Sequence, residues 1–147
     1  MEVVNIPFQA TVWFGIVGLP TTLPNLAGFC LFAVLLVEGA GYWLAKLYQL
    51  RTREPALPGV SIFCAARVVN PVLLAIGVSV TGYAVANAPG LASWPGLGFA
   101  LFAVLEHVNC FHVQLMHATT ADLRRLRSGG LRRSHLARDL KRPSRRI

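Results

Sequence analysis

Three long runs of apolar residues with very few charges, at 26–50, 60–87 and 95–117, constrain this chain more than any other feature. An α-helix rises about 1.5 Å per residue and a bilayer's hydrocarbon core is about 30 Å thick, so each run is long enough to cross it as a helix. A soluble fold of this length would have to hide all three from water. Only 14% of the residues are charged, well below the roughly 25% of an ordinary soluble domain. The predicted class is an all-α membrane protein.

The ends of the runs carry helix punctuation. Pro24-Asn25 precedes the first, and its far end meets Arg51, Arg53 and Glu54. Leu57-Pro58-Gly59 opens the second and Ala88-Pro89-Gly90 closes it, combinations that mark chain turns. Trp94-Pro95 opens the third, with an aromatic suited to the interface and a proline in the first turn, where its missing N–H leaves no bond unmade. A further apolar stretch at 7–20 is too short to span. It is read as an interfacial or re-entrant helix, with a fourth span as its rival. No Lys or Arg precedes it, so a cleavable leader with a positive start is not expected.

Charge divides the chain into a transmembrane helical domain, 1–117, and a basic tail, 118–147. Ten of the fourteen Lys and Arg lie in the tail. Lys46, Arg51 and Arg53 flank the first loop, whereas 88–94 carries no charge. Basic residues favour the cytoplasmic side, so the sequence predicts a plasma (inner) membrane protein with that loop and the C-terminal tail in the cytoplasm. Arg124, Arg125, Arg127, Arg132, Arg133, Arg138 and Lys141, together with Leu136 and Leu140 four residues apart, describe a basic amphipathic stretch that would bind anionic lipid headgroups. Nothing in the tail interleaves aromatics with the basic residues, so nucleic acid is not an expected partner. Cys30, Cys64 and Cys110 lie singly within the apolar runs and are expected to be buried as small packing residues.

Candidate chemistry lies with polar residues inside the spans. These are Glu38 in the first, Arg67 and Asn70 in the second, and Glu106, His107, Asn109 and Gln114 in the third. Ionisable groups at such depth face a bundle interior or a watery cavity. At 100° per residue, a helix running to His117 would gather the last group, with Cys110, on one stripe. Arg67 is expected to pair with Glu106 or Glu38, which leaves the other carboxyl without a cation at that level. Pro71 lies four residues after Arg67 and should kink the second span. Small-residue groups, Gly39-Ala40-Gly41, Ala75/Ser79, Gly77/Thr81 and Gly82/Ala86, allow close helix approach within the chain or to a partner.

Glu106-x-x-Asn109 and Asn109-x-x-His112 lack the Glu-x-x-His spacing of di-iron bundles, and there is no H-E-x-x-H. Neither a metal nor another cofactor is therefore expected. The first functional reading is a non-enzymatic accessory or assembly subunit, homo-oligomeric or part of a larger membrane complex. A proton-coupled carrier or channel component built on the polar cluster is second. A membrane-embedded metalloenzyme is third.

Overall fold

In a computed structural model, residues 2–112 and 134–140 are described, and all regular structure among them is helical. Helix α1, Glu2–Ala10, runs into a π-helical turn, Thr11–Ile16. The long helices are α2, Leu23–Thr52, α3, Val60–Asn87, and α4, Trp94–Phe111. A short α5, His135–Asp139, returns to the bundle. Two of them, α2 and α3, are long and apolar enough to cross a membrane, with mean hydropathy 1.8 in each. Of their apolar windows, 33% in α2 and 22% in α3 is buried within the chain.

Helix α3 has the limits that its flanking signals predict, with Gly59 in the left-handed region (φ 70°) just before its first turn. Helix α2 begins three residues earlier than the sequence suggests. Pro24 is inside the first turn rather than ahead of it, because the first helical N–H groups have no intrahelical acceptor to lose. Pro71 lies within α3 without ending it. Helix α4 stops at Phe111, since His112 leaves helical geometry at φ −124° and ψ −64°. The continuous helix predicted to His117 is corrected accordingly, and Gln114 lies outside the described residues.

The N-terminal segment, read as an interfacial or re-entrant helix, packs along α2. Phe14 packs edge-on against Phe29, with ring centroids 5.4 Å apart, while Asn5 lines a cleft shared with Glu38. Asn5 to Phe14 and Glu38 to Phe29 are matched intervals in opposite directions, so α1 and its π turn lie antiparallel along α2. Pro7 is inside this helix, and Thr11 Oγ1 donates to its carbonyl at 2.8 Å at the start of the wide turn.

Two apolar clusters hold the bundle. One, around Phe29, Phe32, Leu35, Leu74 and Ala103, is extended by Phe14 and Phe99. Its rings meet mainly edge to face, as in Phe29–Phe99 and Phe32–Phe102, both at 5.5 Å; aromatic quadrupoles favour this arrangement over a face-to-face sandwich. The other, at the opposite end, joins Tyr42, Leu57, Phe63, Phe111 and Leu136. Leu136 and Leu140 therefore turn their apolar sides to the bundle, a correction to the lipid-facing pair read from their spacing.

At the first end, α2 and α4 cross with their backbones in contact at Gly28 and Gly96. Asn25, fully buried, donates from Nδ2 to the carbonyls of Pro20 (2.9 Å) and Leu91 (3.0 Å), and its Oδ1 accepts the Gly96 N–H (2.8 Å). One side chain so joins the link before α2, the loop before α4 and α4 itself. Within the predicted small-residue groups, Gly77 receives the Leu31 side chain, and buried Thr81 donates to the Gly77 carbonyl at 2.8 Å. Ala75, Ser79 and Ala86 face outward. Cys30 and Cys64 are exposed rather than buried, on apolar surface that lipid can cover.

A methyl group at Gly96 would overlap the Pro24 carbonyl, and the backbone there cannot rotate away as a side chain would. Gly96→Ala is expected to destabilise the bundle by about 2–3 kcal/mol. Gly82→Ala, where a methyl meets nothing within 4 Å, should be neutral or slightly stabilising. Unfolding in mixed detergent micelles checks the pair, and equal stability of both variants would contradict the Gly28–Gly96 crossing.

Candidate functional site

A cleft of about 420 Å³ opens where α1, α2, α4 and α5 meet. Its α2 wall is Leu35, Leu36, Glu38, Gly39, Tyr42 and Trp43, and its α4 wall is Glu106, Asn109, Cys110 and Phe111. Asn5 comes from α1, and Ser134, His135 and Leu136 from the returning segment. The spacing explains the two walls. Leu35, Gly39 and Tyr42 follow each other on one α2 face, and Glu106, Asn109 and Cys110 on one α4 face.

Both intramembrane carboxyl residues predicted from the sequence therefore reach one cleft. Glu38 is fixed from behind by Asn70, which is only 3% exposed and donates from Nδ2 to Glu38 Oε2 at 2.6 Å. This bond ties α3 to α2 at the level of the cleft. Asn109, predicted on the stripe, is also in the lining.

The rest of the predicted cluster is separated from it. His107 is 5% exposed and does not line the cleft; it stacks on Phe111, which does, with ring centroids 4.8 Å apart. Among the described residues neither of its ring nitrogens has a hydrogen-bond partner. The ring of His112 is also close to it, with centroids 5.6 Å apart. The predicted ion pair of Arg67 with Glu106 or Glu38 is not formed among the described residues. Helix geometry separates the two predicted α4 residues: Glu106 and His107 are 100° apart, so α4 turns the carboxyl to the cleft and the imidazole off its lining. The single stripe is thus divided between two faces. Among the described residues no group of three His, Cys, Asp or Glu side chains is placed to hold a metal ion.

The ion pair that the described residues do form ties α5 to α2. Lys46 Nζ donates to Asp139 Oδ2 at 2.8 Å, and the Tyr42 hydroxyl donates to the same oxygen at 3.0 Å. Lys46 also reaches Gln49 Oε1 at 3.1 Å, and the Ser134 N–H donates to the His112 carbonyl at 3.2 Å. With Leu136 only 3% exposed, α5 is anchored by both a polar and an apolar contact. Sequence reasoning missed Asp139, Lys46, Tyr42 and Asn5 as site residues. A signal for the first existed: it is an acidic residue within a strongly basic stretch. The lipid-binding candidates Arg124, Arg125, Arg127, Arg132, Arg133 and Lys141 lie outside the described residues, as does the side chain of Arg138.

No protein-family model matches this chain, and no curated protein or solved structure matches it.

A bond between membrane helices contributes about 0.6–1.7 kcal/mol in double-mutant cycles. The cycle of Glu38→Leu and Asn70→Leu is expected to show a coupling of about 1 kcal/mol in bilayer or bicelle unfolding. Strict additivity of the two substitutions would mean that the pair is not formed.

Proposed function

We propose that this chain is a small multi-pass protein of the plasma (inner) membrane and acts as a non-enzymatic accessory or assembly subunit. The observation that carries this reading is the asymmetry of α3. Its inward face, with Phe63, Asn70, Leu74, Gly77 and Thr81 buried, packs on the rest of the bundle. Its outward face combines exposed Val68, Val72, Ile76 and Val80 with the small residues Ala75, Ser79 and Ala86. In lipid a small-residue row lets a second helix approach closely enough for extensive van der Waals contact. The polar groups at mid-depth favour the same reading, because Asn70 and Glu38 join helices to each other. In this arrangement α4 is the third span, the N-terminal helix is re-entrant along α2, and the homo-oligomer or larger complex forms through α3.

Orientation follows from the positive-inside rule. Lys46, Arg51 and Arg53 lie at the end of the bundle that α5 covers, and the loop at 88–93 at the other end has no basic residue. The tail is then cytoplasmic, and its arginines attract anionic headgroups by about 1 kcal/mol each near the surface. A carrier or channel component is the second reading, favoured by Glu38 and Glu106 lining one cleft.

Reporter fusions after Ile147 and within 51–55 are expected to report cytoplasm, and a fusion within 88–93 the opposite side. An external tail overturns the orientation. For the assembly role, Ser79→Cys in a background of Cys30→Ser, Cys64→Ser and Cys110→Ser should give a defined cross-linked species with a short bis-thiol reagent in native membranes. Leu101→Cys on the exposed side of α4 should not. Absence of any adduct at Ser79→Cys, or equal yields at both positions, rejects α3 as the association face.

A further inference from the structure

We propose that Arg67 is a binding residue for the phosphate of a phospholipid, taken from the leaflet that borders the start of α3. This rests on the membrane reading of α2 and α3, and not on the subunit role or on the side the tail faces.

Arg67 lies within the apolar run of α3, seven residues after its first residue, Val60, or about 10 Å along the helix axis. A guanidinium does not lose its proton in a protein, and a charge at such depth is costly without a counter-ion. Arg67 is half-buried, so part of it reaches the surface of the bundle. Among the described residues it forms no ion pair and no side-chain hydrogen bond. The carboxyls nearest in depth are engaged elsewhere: Asn70 donates to Glu38, Lys46 and Tyr42 donate to Asp139, and Glu106 belongs to the cleft. The counter-ion therefore comes from outside these residues.

Three features point to a lipid phosphate. Cα–Cβ bonds tilt toward a helix's N-terminus, so the Arg67 stem leads back toward Val60 and the membrane surface rather than deeper; long basic side chains in membrane helices extend over apolar surface in this way to place the charge at the interface. The path is open to lipid, because Val60 and Cys64, which precede Arg67 on the same face, are both exposed. It ends at a first turn without a side-chain cap, where the positive end of the helix dipole also favours an anion. The guanidinium fork, finally, matches two phosphate oxygens at once. The carboxylate of a second protein fits less well. The outward face of α3, with exposed Val68, Val72, Ala75 and Ser79, is centred about 100° around the helix from Arg67.

The test uses the full chain in dodecyl maltoside, whose headgroup carries no phosphate, with phosphatidylglycerol as the probe and diacylglycerol of the same chains as the control. Native mass spectrometry reads bound lipid, and thermal unfolding reads its effect. A tightly bound phosphatidylglycerol is expected, with at least about tenfold preference over diacylglycerol. Arg67→Gln should weaken it about tenfold, whereas Arg132→Gln with Arg133→Gln in the tail should leave it in place. Arg67→Lys, which keeps the charge and loses the fork, should fall between. Without lipid, Arg67→Gln should unfold at the same temperature as the unaltered chain or higher, and added lipid should stabilise the unaltered chain far more than the variant. A lower unfolding temperature of the variant by the same amount with and without lipid means a purely structural arginine and overturns the proposal. So does equal affinity of Arg67→Gln and the unaltered chain for phosphatidylglycerol. Inorganic phosphate that stabilises the unaltered chain as well as the lipid does overturns the lipid assignment in favour of a soluble anion. Loss of a cross-linked oligomer from Arg67→Gln with lipid binding intact overturns it in favour of a partner's carboxylate. If Arg67→Gln does not fold, the comparison of Arg67→Lys with the tail variant decides.

Discussion

The backbone contact of α2 with α4 at Gly28 and Gly96 can exist only because Asn25 satisfies the polar groups trapped beside it. Two carbonyls and one N–H converge on the fully buried Asn25 side chain, and an unsatisfied buried group costs about 1–3 kcal/mol. Asn25 supplies two donors and an acceptor in one planar group, so all three are met at 2.8–3.0 Å. The crossing in turn sets how far apart α2 and α4 are further along. The glycine contact lies at one end of the pair and the cleft lined by Glu38 and Glu106 further along it. The amide lies thirteen residues along α2 from Glu38, the carboxyl of the cleft on the same helix.

Helix positions were legible in the sequence wherever a turn signal stood outside the helix. Pro58-Gly59 and Ala88-Pro89-Gly90 delimit α3 because a left-handed glycine and prolines cannot continue a helix at those points. Pro24 resembles the same signal but is compatible with a first turn, so the start of α2 was displaced. The N-terminal segment was legible as helical but not in direction: apolarity shows that it is covered, and only the matched contacts of Asn5 and Phe14 show that α2 covers it.

Glu38, Asn70, Glu106 and Asn109 were identifiable as site residues because polar groups in apolar runs must face inward. What could not be read was which of them meet. A projection of one helix ranks residues by angle and carries no information on the neighbour at each angle, so His107 and Glu106, adjacent in sequence, were joined although they face different helices. Arg67 was assigned a carboxylate partner by charge balance alone, and among the described residues it forms no ion pair with Glu38 or Glu106. The leucines of α5 show the same limit. Their spacing defines an apolar face, and lipid and protein cover such a face equally well in a sequence.

Asp139 bonds to Tyr42 and Lys46 across 97 and 93 residues of chain. Helix α2 is made long before its anionic partner, and closing so large a loop is entropically costly and slow compared with pairing neighbouring helices. During synthesis the helices can therefore associate in order while the Tyr42 end of the bundle stays open, and α5 completes it last. The structure thus implies an order of maturation, in which the Tyr42 end of the bundle is completed only once α5 has been made.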